Sequence, residues 1–199
     1  MHTSQLERWF DELMHALRQR TVFVNQGDDP VYFLVYPPIA SLEVYRLLPD
    51  WQKKLKHGGW TPHLFNVGME LTEFIVRHPD AEMILEHERA NPADQPTVIE
   101  SVRQLLRDGA DATVVESWVL DQIDRASELD NGLLLLTGIE LLHPYLQIGR
   151  IEQRLQGRFT VPTVVLYPGT KTSTFGLRYL GFYEPDGNYR SRHIGGTRV

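Results

Sequence analysis

The segment Tyr167-Pro168-Gly169-Thr170-Lys171-Thr172-Ser173 sets a glycine and a lysine beside three hydroxyl residues, the ingredients of a phosphate loop. A working loop of that kind needs a second glycine directly before the lysine, and it must open a helix. Here Thr170 precedes Lys171, and the chain beyond reads as strand. The turn after the first β-prone run, Tyr36-Pro37-Pro38-Ile39-Ala40-Ser41, has neither Gly nor Lys, and its two prolines remove N–H donors a phosphate cradle would use. No phosphate loop is expected. The eight histidines include no H-E-x-x-H pair. His78 and His87, among Asp80, Glu82, Glu86 and Glu88, read as a solvated helix face, and His57 and His63 as surface residues flanking Gly58-Gly59. No G-x-S-x-G elbow occurs, and Asp28-Asp29, Asp121 and Asp124 sit on no recognisable catalytic scaffold. The absence of cysteine removes thiolate ligands, thiol nucleophiles and disulfides together. The reading is a protein with no catalytic constellation, no metal and no cofactor.

Net charge of −6 over 199 residues argues against direct nucleic-acid binding, which leaves a basic footprint. The charged N-terminus lacks a signal-peptide core, and no apolar run reaches the roughly 18 residues that span a bilayer. A cytoplasmic protein without membrane contact is expected. The last third reverses the overall bias: Lys171, Arg178, Arg190, Arg192 and Arg198 stand against Glu184 and Asp186, with Phe175, Tyr179, Phe182, Tyr183 and Tyr189 interleaved. Arg with Tyr is the composition of interface hot spots. Lys171, Arg178, Tyr183, Tyr189 and Arg190 are therefore the candidate interaction surface, with Trp9 on the first helix a further candidate.

The elements that would position these residues alternate between strand and helix. Ser4-Gln5-Leu6-Glu7 fits a capping box before Leu6, Trp9, Phe10, Leu13 and Leu17 at helical spacing. Gln26–Pro30 reads as a turn, Val31–Tyr36 as a buried strand, and Ser41–Lys56 as a helix with Leu42, Tyr45, Leu48 and Leu55 on one side. Pro62–Val67 is a second strand, with a helix from Met69. The more polar stretch at about 80–130 reads as a helical insert, interrupted at Asn91–Pro96 and closing with a helix from Ala112 to Ser127. Leu133–Leu136 is a third strand, a helix from Glu140 to about Gln156 holds Pro144 in its first turns, and Thr163–Tyr167 is a fourth strand. Leu177–Tyr183 reads as an antiparallel fifth strand, Pro185–Gly187 as a turn, and Asn188–Ile194 as an edge strand. The expected fold is one α/β domain over 1–199. Its sheet is mostly parallel, Rossmann-like or P-loop-like without the loop, with flanking helices and a C-terminal antiparallel hairpin. Open parallel sheets take ligands outside the carboxyl ends of their strands. That places a candidate pocket at Pro37, Thr137, Gly138, Glu140 and Gly169, although Thr137 and Glu140 read more readily as helix caps than as ligand contacts.

Thr137-Gly138-Ile139, Pro144-Tyr145, Leu155-Gln156, Val164–Gly169, Leu177–Gly181 and Asn188-Tyr189-Arg190 occur in that order, with Tyr36-Pro37 upstream. The series resembles the BrxB family of BREX bacteriophage-resistance systems over most of the chain, and most specifically from Leu133 to Ile194. It departs from the family at Gln147-Ile148-Gly149 and at Thr170–Thr174, which marks a divergent member. The resemblance implies a small cytoplasmic, non-catalytic component or adaptor. The partners it implies are other BREX proteins: a PglZ-type phosphatase-like protein and a large ATPase. An edge strand would also permit a homodimer. Two alternatives stand beside this reading: a degenerate nucleotide-binding fold that binds nucleotide or DNA through Lys171 or Arg178, and a nuclease or hydrolase with an unfamiliar carboxylate site.

Overall fold

The computed structural model describes residues 3–19, 29–109, 112–172, 176–184 and 191–196. Within them the chain forms α1 (Thr3–Arg18), β1 (Val31–Tyr36), α2 (Ser41–His57), β2 (Thr61–Asn66), α3 (Val67–Arg77), α4 (Ala81–Ala90) and α5 (Gln95–Leu105). There follow β3 (Arg107–Asp108), β4 (Ala112–Thr113), α6 (Val114–Ser127), β5 (Gly132–Thr137), α7 (Ile148–Arg154), β6 (Thr163–Lys171), β7 (Leu177–Tyr179) and β8 (Arg192–Gly195). Single 3₁₀ turns at Pro38–Ala40 and Ile139–Leu142 follow β1 and β5.

The main sheet has the order β2-β5-β6-β1-β8, and every neighbour in that row is parallel. β1, β5 and the start of β6 are continuous apolar runs because both faces of the sheet are covered. Alternation along the strands divides the core in two. Tyr32, Leu34 and Tyr36 of β1, with Leu133, Leu135, Val164 and Leu166, pack against α1 and α2. Val31, Phe33 and Val35, with Leu134, Leu136, Val165 and Tyr167, pack against α3, α5, α6 and α7. Phe10 of α1 stacks on Trp51 of α2 with ring centroids 4.6 Å apart, so the two helices of the first layer lock to each other as well as to the sheet.

The mostly parallel α/β sheet matches the sequence reading, as do its strands β1, β2, β5 and β6, of which β2 lies at an edge. Several local expectations are corrected. Helix α1 already includes Ser4, and the Glu7 carboxylate pairs with Lys54 Nζ instead of closing a capping box. The buried side of α2 is Val44, Leu48, Trp51 and Leu55, whereas Leu42 faces solvent. Pro49 lies inside that helix. The helix expected over 140–156 is a 3₁₀ turn, a cis His143–Pro144 bond and the short α7, because Pro144 supplies no N–H to a helical ladder. The capping box that does form is at α6, where Glu116 accepts from the Thr113 backbone N–H at 2.8 Å. A two-residue antiparallel pair, β3 with β4, precedes it and carried no sequence signal.

The antiparallel element is made by the tail of β6 (Gly169–Lys171) with β7, which ends at Tyr179 because Leu180 and Gly181 both take positive φ. β8 does not pair with β7. It crosses to the far edge and lies parallel to β1, with Tyr32 opposite Arg192. The expected turns at Gln26–Asp28 and Pro185–Gly187 lie outside the described residues. Among the described residues, no helix is long and apolar enough to cross a membrane.

Candidate functional site at the strand carboxyl ends

Three parallel strands end at Tyr36, Asn66 and Thr137, beside Pro168, where the parallel pairing of β6 stops. The turns that leave them are packed closely enough to need glycine. Gly138 has φ of 75°, and a Cβ there would stand 2.0 Å from Asn66 Oδ1. A Cβ on Gly68 would stand 2.4 Å from the Gly138 carbonyl and 2.6 Å from Leu141 Cβ. Asn66 uses the same Oδ1 to accept from the Met69 N–H at 3.0 Å, so it caps α3 at the point where β2 and β5 converge.

Around this junction, tyrosines pin the 3₁₀ turn. The Tyr45 hydroxyl of α2 donates to Glu140 Oε1 at 2.5 Å. The Tyr179 hydroxyl of β7 donates to the Ile139 carbonyl. The Tyr183 hydroxyl bonds His143 Nδ1, and its ring lies 5.5 Å from that of Tyr179. Burial, reinforced by the Glu140 hydrogen bond and charge, pushes the Tyr45 phenol far up. Burial first and then Glu140 push up Tyr36, against a smaller opposing effect from its bond to Ser41. Burial also raises Tyr183, while the Arg103 charge opposes the rise. These three phenols stay protonated at neutral pH, and the donors that fasten the turn to α2 and β7 are the hydroxyls of Tyr45 and Tyr179. Glu140 Oε2 is shielded from solvent and has no hydrogen-bond partner among the described residues.

What this scaffold presents outward is apolar. Ile39 is 91% exposed, Leu42 76%, Phe182 65%, Met69 58% and Leu141 49%. Each stands on a segment that leaves a strand at the carboxyl side or begins the next helix: Ile39 and Leu42 after β1, Met69 after β2, Leu141 after β5, Phe182 after β7. The contacts between those segments run in one chain. Leu141 abuts the start of α3 at Gly68, its neighbour Glu140 is bonded to Tyr45 of α2, and the His143 ring meets Phe182 at 5.3 Å. The five side chains therefore stand on neighbouring segments at the carboxyl side of the sheet, an exposed apolar rim.

The residues singled out in the sequence divide between structural and surface positions. Thr137 is buried, and its hydroxyl donates to the Phe65 carbonyl across the β2–β5 pair at 3.3 Å. Gly169 is buried in β6, with the Tyr167 ring and the Arg178 carbonyl each 2.5 Å from where a Cβ would stand. Pro37 is half-buried and leads into the first 3₁₀ turn, and Glu140 lies in the second. Lys171 closes β6, and its ammonium donates to the His193 carbonyl of β8 at 3.0 Å, which ties together the two strands flanking β1. Arg178 is half-buried on β7, opposite Thr170. Tyr189 and Arg190 lie outside the described residues. Trp9 is buried, its ring beside Gly195 of β8, so α1 does not present it outward. His63 bonds Gln122 at 2.7 Å and His87 bonds Asp94 at 3.1 Å. Among the described residues, no group of three or more His, Asp or Glu side chains converges as a metal site would.

Sequence reasoning missed the apolar rim. Its one local signal was positional: Ile39 and Leu42 fall off the stripe formed by Val44, Leu48, Trp51 and Leu55. No curated protein and no solved structure matches the chain. A family model described as BREX protein BrxB matches residues 65–194, which run from the end of β2 to β8 and include Met69, Leu141 and Phe182 of the rim. That match covers well over half of the 199 residues, and the chain belongs to the BrxB family, a component of the BREX systems of bacteriophage defence.

Proposed function

We propose that this protein is a non-catalytic docking subunit that joins another BREX protein through the apolar rim at its strand ends. The carrying observation is that Ile39, Leu42, Met69, Leu141 and Phe182, five of the ten exposed large apolar side chains among the described residues, all stand on segments at the carboxyl side of the sheet. Exposed apolar side chains gathered on one side of a sheet are characteristic of a surface that a protein partner covers. The rim rests on glycine-tight turns and hydrogen-bonded tyrosines, so it is preorganised and loses little entropy on binding. Family membership supplies the class of occupant, a co-encoded BREX protein. The phosphatase-like and ATPase partners implied by the family resemblance are the two to test.

The test is co-purification from cells expressing the neighbouring BREX genes. The variants are Leu42→Glu combined with Phe182→Glu, and Arg178→Ala separately. The unaltered chain should recover one of those two partners. The rim double variant should lose at least tenfold in affinity, about 1.4 kcal/mol or more, with an unchanged melting temperature, because both positions are exposed. Full recovery by the rim variant overturns the reading. Recovery of only a second copy of the chain replaces it with self-association.

A further inference from the structure

A second surface feature lies away from Ile39 and Leu42 and has the opposite character. A cleft of about 440 Å³ opens between α5, the β3–β4 pair and α7. Arg103, Arg107, Arg150 and Arg154 line it, together with Tyr145 and Tyr183. The carboxylates that answer these four guanidinium groups are Glu100 at the mouth and Glu116 beneath the wall. Glu88 also lies close enough to act electrostatically on Tyr145. The cleft lining itself carries four arginines against one carboxylate, Glu100, in a chain of net charge −6.

Three of the arginines are held by fixed partners. Arg103 donates Nε to the Tyr145 carbonyl at 3.1 Å and Nη2 to the Pro144 carbonyl at 3.0 Å, bonds that position its fork without neutralising it. Arg107 reaches Glu100 at 3.3 Å. Arg154 is anchored on the buried Glu116 at 2.7 Å. Arg150, exposed on α7, has no ion-pair partner among the described residues. Guanidinium groups of this kind match the oxygens of a phosphate, and Tyr145 adds an aromatic side chain to the lining, whereas the Tyr183 ring is already stacked on Phe182. The volume falls within the roughly 300–1,000 Å³ of small-molecule sites.

We propose that this cleft binds the phosphate of a small nucleotide. It is a different place from the strand-end loops where the sequence raised that chemistry; Tyr183 at its border stacks on Phe182 of the rim, but its four arginines stand on α5, β3 and α7. Isothermal titration at low salt with AMP, ADP, ATP and inorganic phosphate tests it, on the unaltered chain, Arg150→Glu, Arg107→Glu and the rim variant Leu42→Glu as control. At least one nucleotide should bind at a single site with Kd below about 1 mM. Arg150→Glu should weaken that binding at least tenfold, and Leu42→Glu should leave it unchanged. Absence of binding by every nucleotide overturns the proposal, as does unaltered binding in both arginine variants. Inorganic phosphate bound as tightly as any nucleotide means an adventitious ion only. A single-stranded oligonucleotide bound at least tenfold tighter than AMP, with steep salt dependence, moves the ligand from a small nucleotide to a strand and overturns the proposal as stated.

Discussion

The imidazole of His193 sits in β8, edge-on to Phe33 at 5.7 Å, with Ser191 Oγ 3.3 Å from Nε2. Burial, and secondarily the positive charge of Lys171, lower its pKa to about 4. An unfolded histidine titrates near 6.5. Between those two values the unfolded chain holds a proton that the folded chain does not, so stability rises with pH across this window. The contribution is complete above about pH 6.5 and is lost as pH falls toward 4. With allowance for partial exposure, the loss is on the order of 2 kcal/mol. Thermal melts from pH 7.5 to 4.5 should show a declining midpoint in the unaltered chain and a shallower decline in His193→Gln. Equal slopes would remove His193 from the account. Lys171 belongs to the same residue-scale lesson. Its neighbours in sequence suggested a phosphate ligand, and its ammonium instead serves a backbone carbonyl on another strand.

At the scale of elements, α6 depends on α7. Glu116 closes the capping box with Thr113, and its other oxygen takes Arg154 Nη1 at 2.7 Å. The carboxylate is buried and the arginine half-exposed, so removing Arg154 leaves a buried charge with one partner fewer. Arg154→Ala should cost about 1–2 kcal/mol in urea unfolding, below the figure for fully buried pairs because solvent reaches the arginine. Arg154→Lys should restore part of it. A variant as stable as the unaltered chain would show that the pair contributes nothing to the α6–α7 contact. Helix α2 shows the same dependence on a distant element. Pro49 cannot donate to the Tyr45 carbonyl, while the Tyr45 side chain is fastened to Glu140 beyond β5.

Over the whole molecule, burial is uneven. All six residues of β1 and the first seven of β6 are buried between the two helical layers. Helix α4 buries Ile84 alone. Local opening should follow that gradient. Amide exchange should be slowest in β1 and β6 and fastest in α4. Rapid exchange in β1 would contradict the two-layer core. The rim effect belongs to this scale too, because its five residues come from four separate chain segments and form a surface only when the sheet is assembled.

Local signals were enough to read much of this fold. Val31–Tyr36, Leu133–Leu136 and Thr163–Tyr167 are apolar runs bounded by turn residues, and such runs demand burial on both faces wherever they are placed. Leu6, Trp9, Phe10, Leu13 and Leu17 similarly defined one face of α1, and all five are buried. The order of motifs from Thr137 onward sufficed to suggest the family. Other features depended on partners distant in the chain. Whether β8 pairs with β7 or crosses to β1 is decided by which edge is free after β6 has inserted beside β1. Which apolar residues of α2 are surplus is decided by the direction from which the sheet meets the helix, and that leaves Leu42 outside and Trp51 inside. The convergence of Arg103, Arg107, Arg150 and Arg154 on one cleft likewise required α5 and α7 to come together. Periodicity and turn chemistry are properties of neighbouring residues, so the sequence alone determined the fold class and most of the elements, though not β3, β4 or the break at Pro144. Strand order, the exposed rim and the basic cleft are properties of long-range packing, and only the tertiary structure decided them.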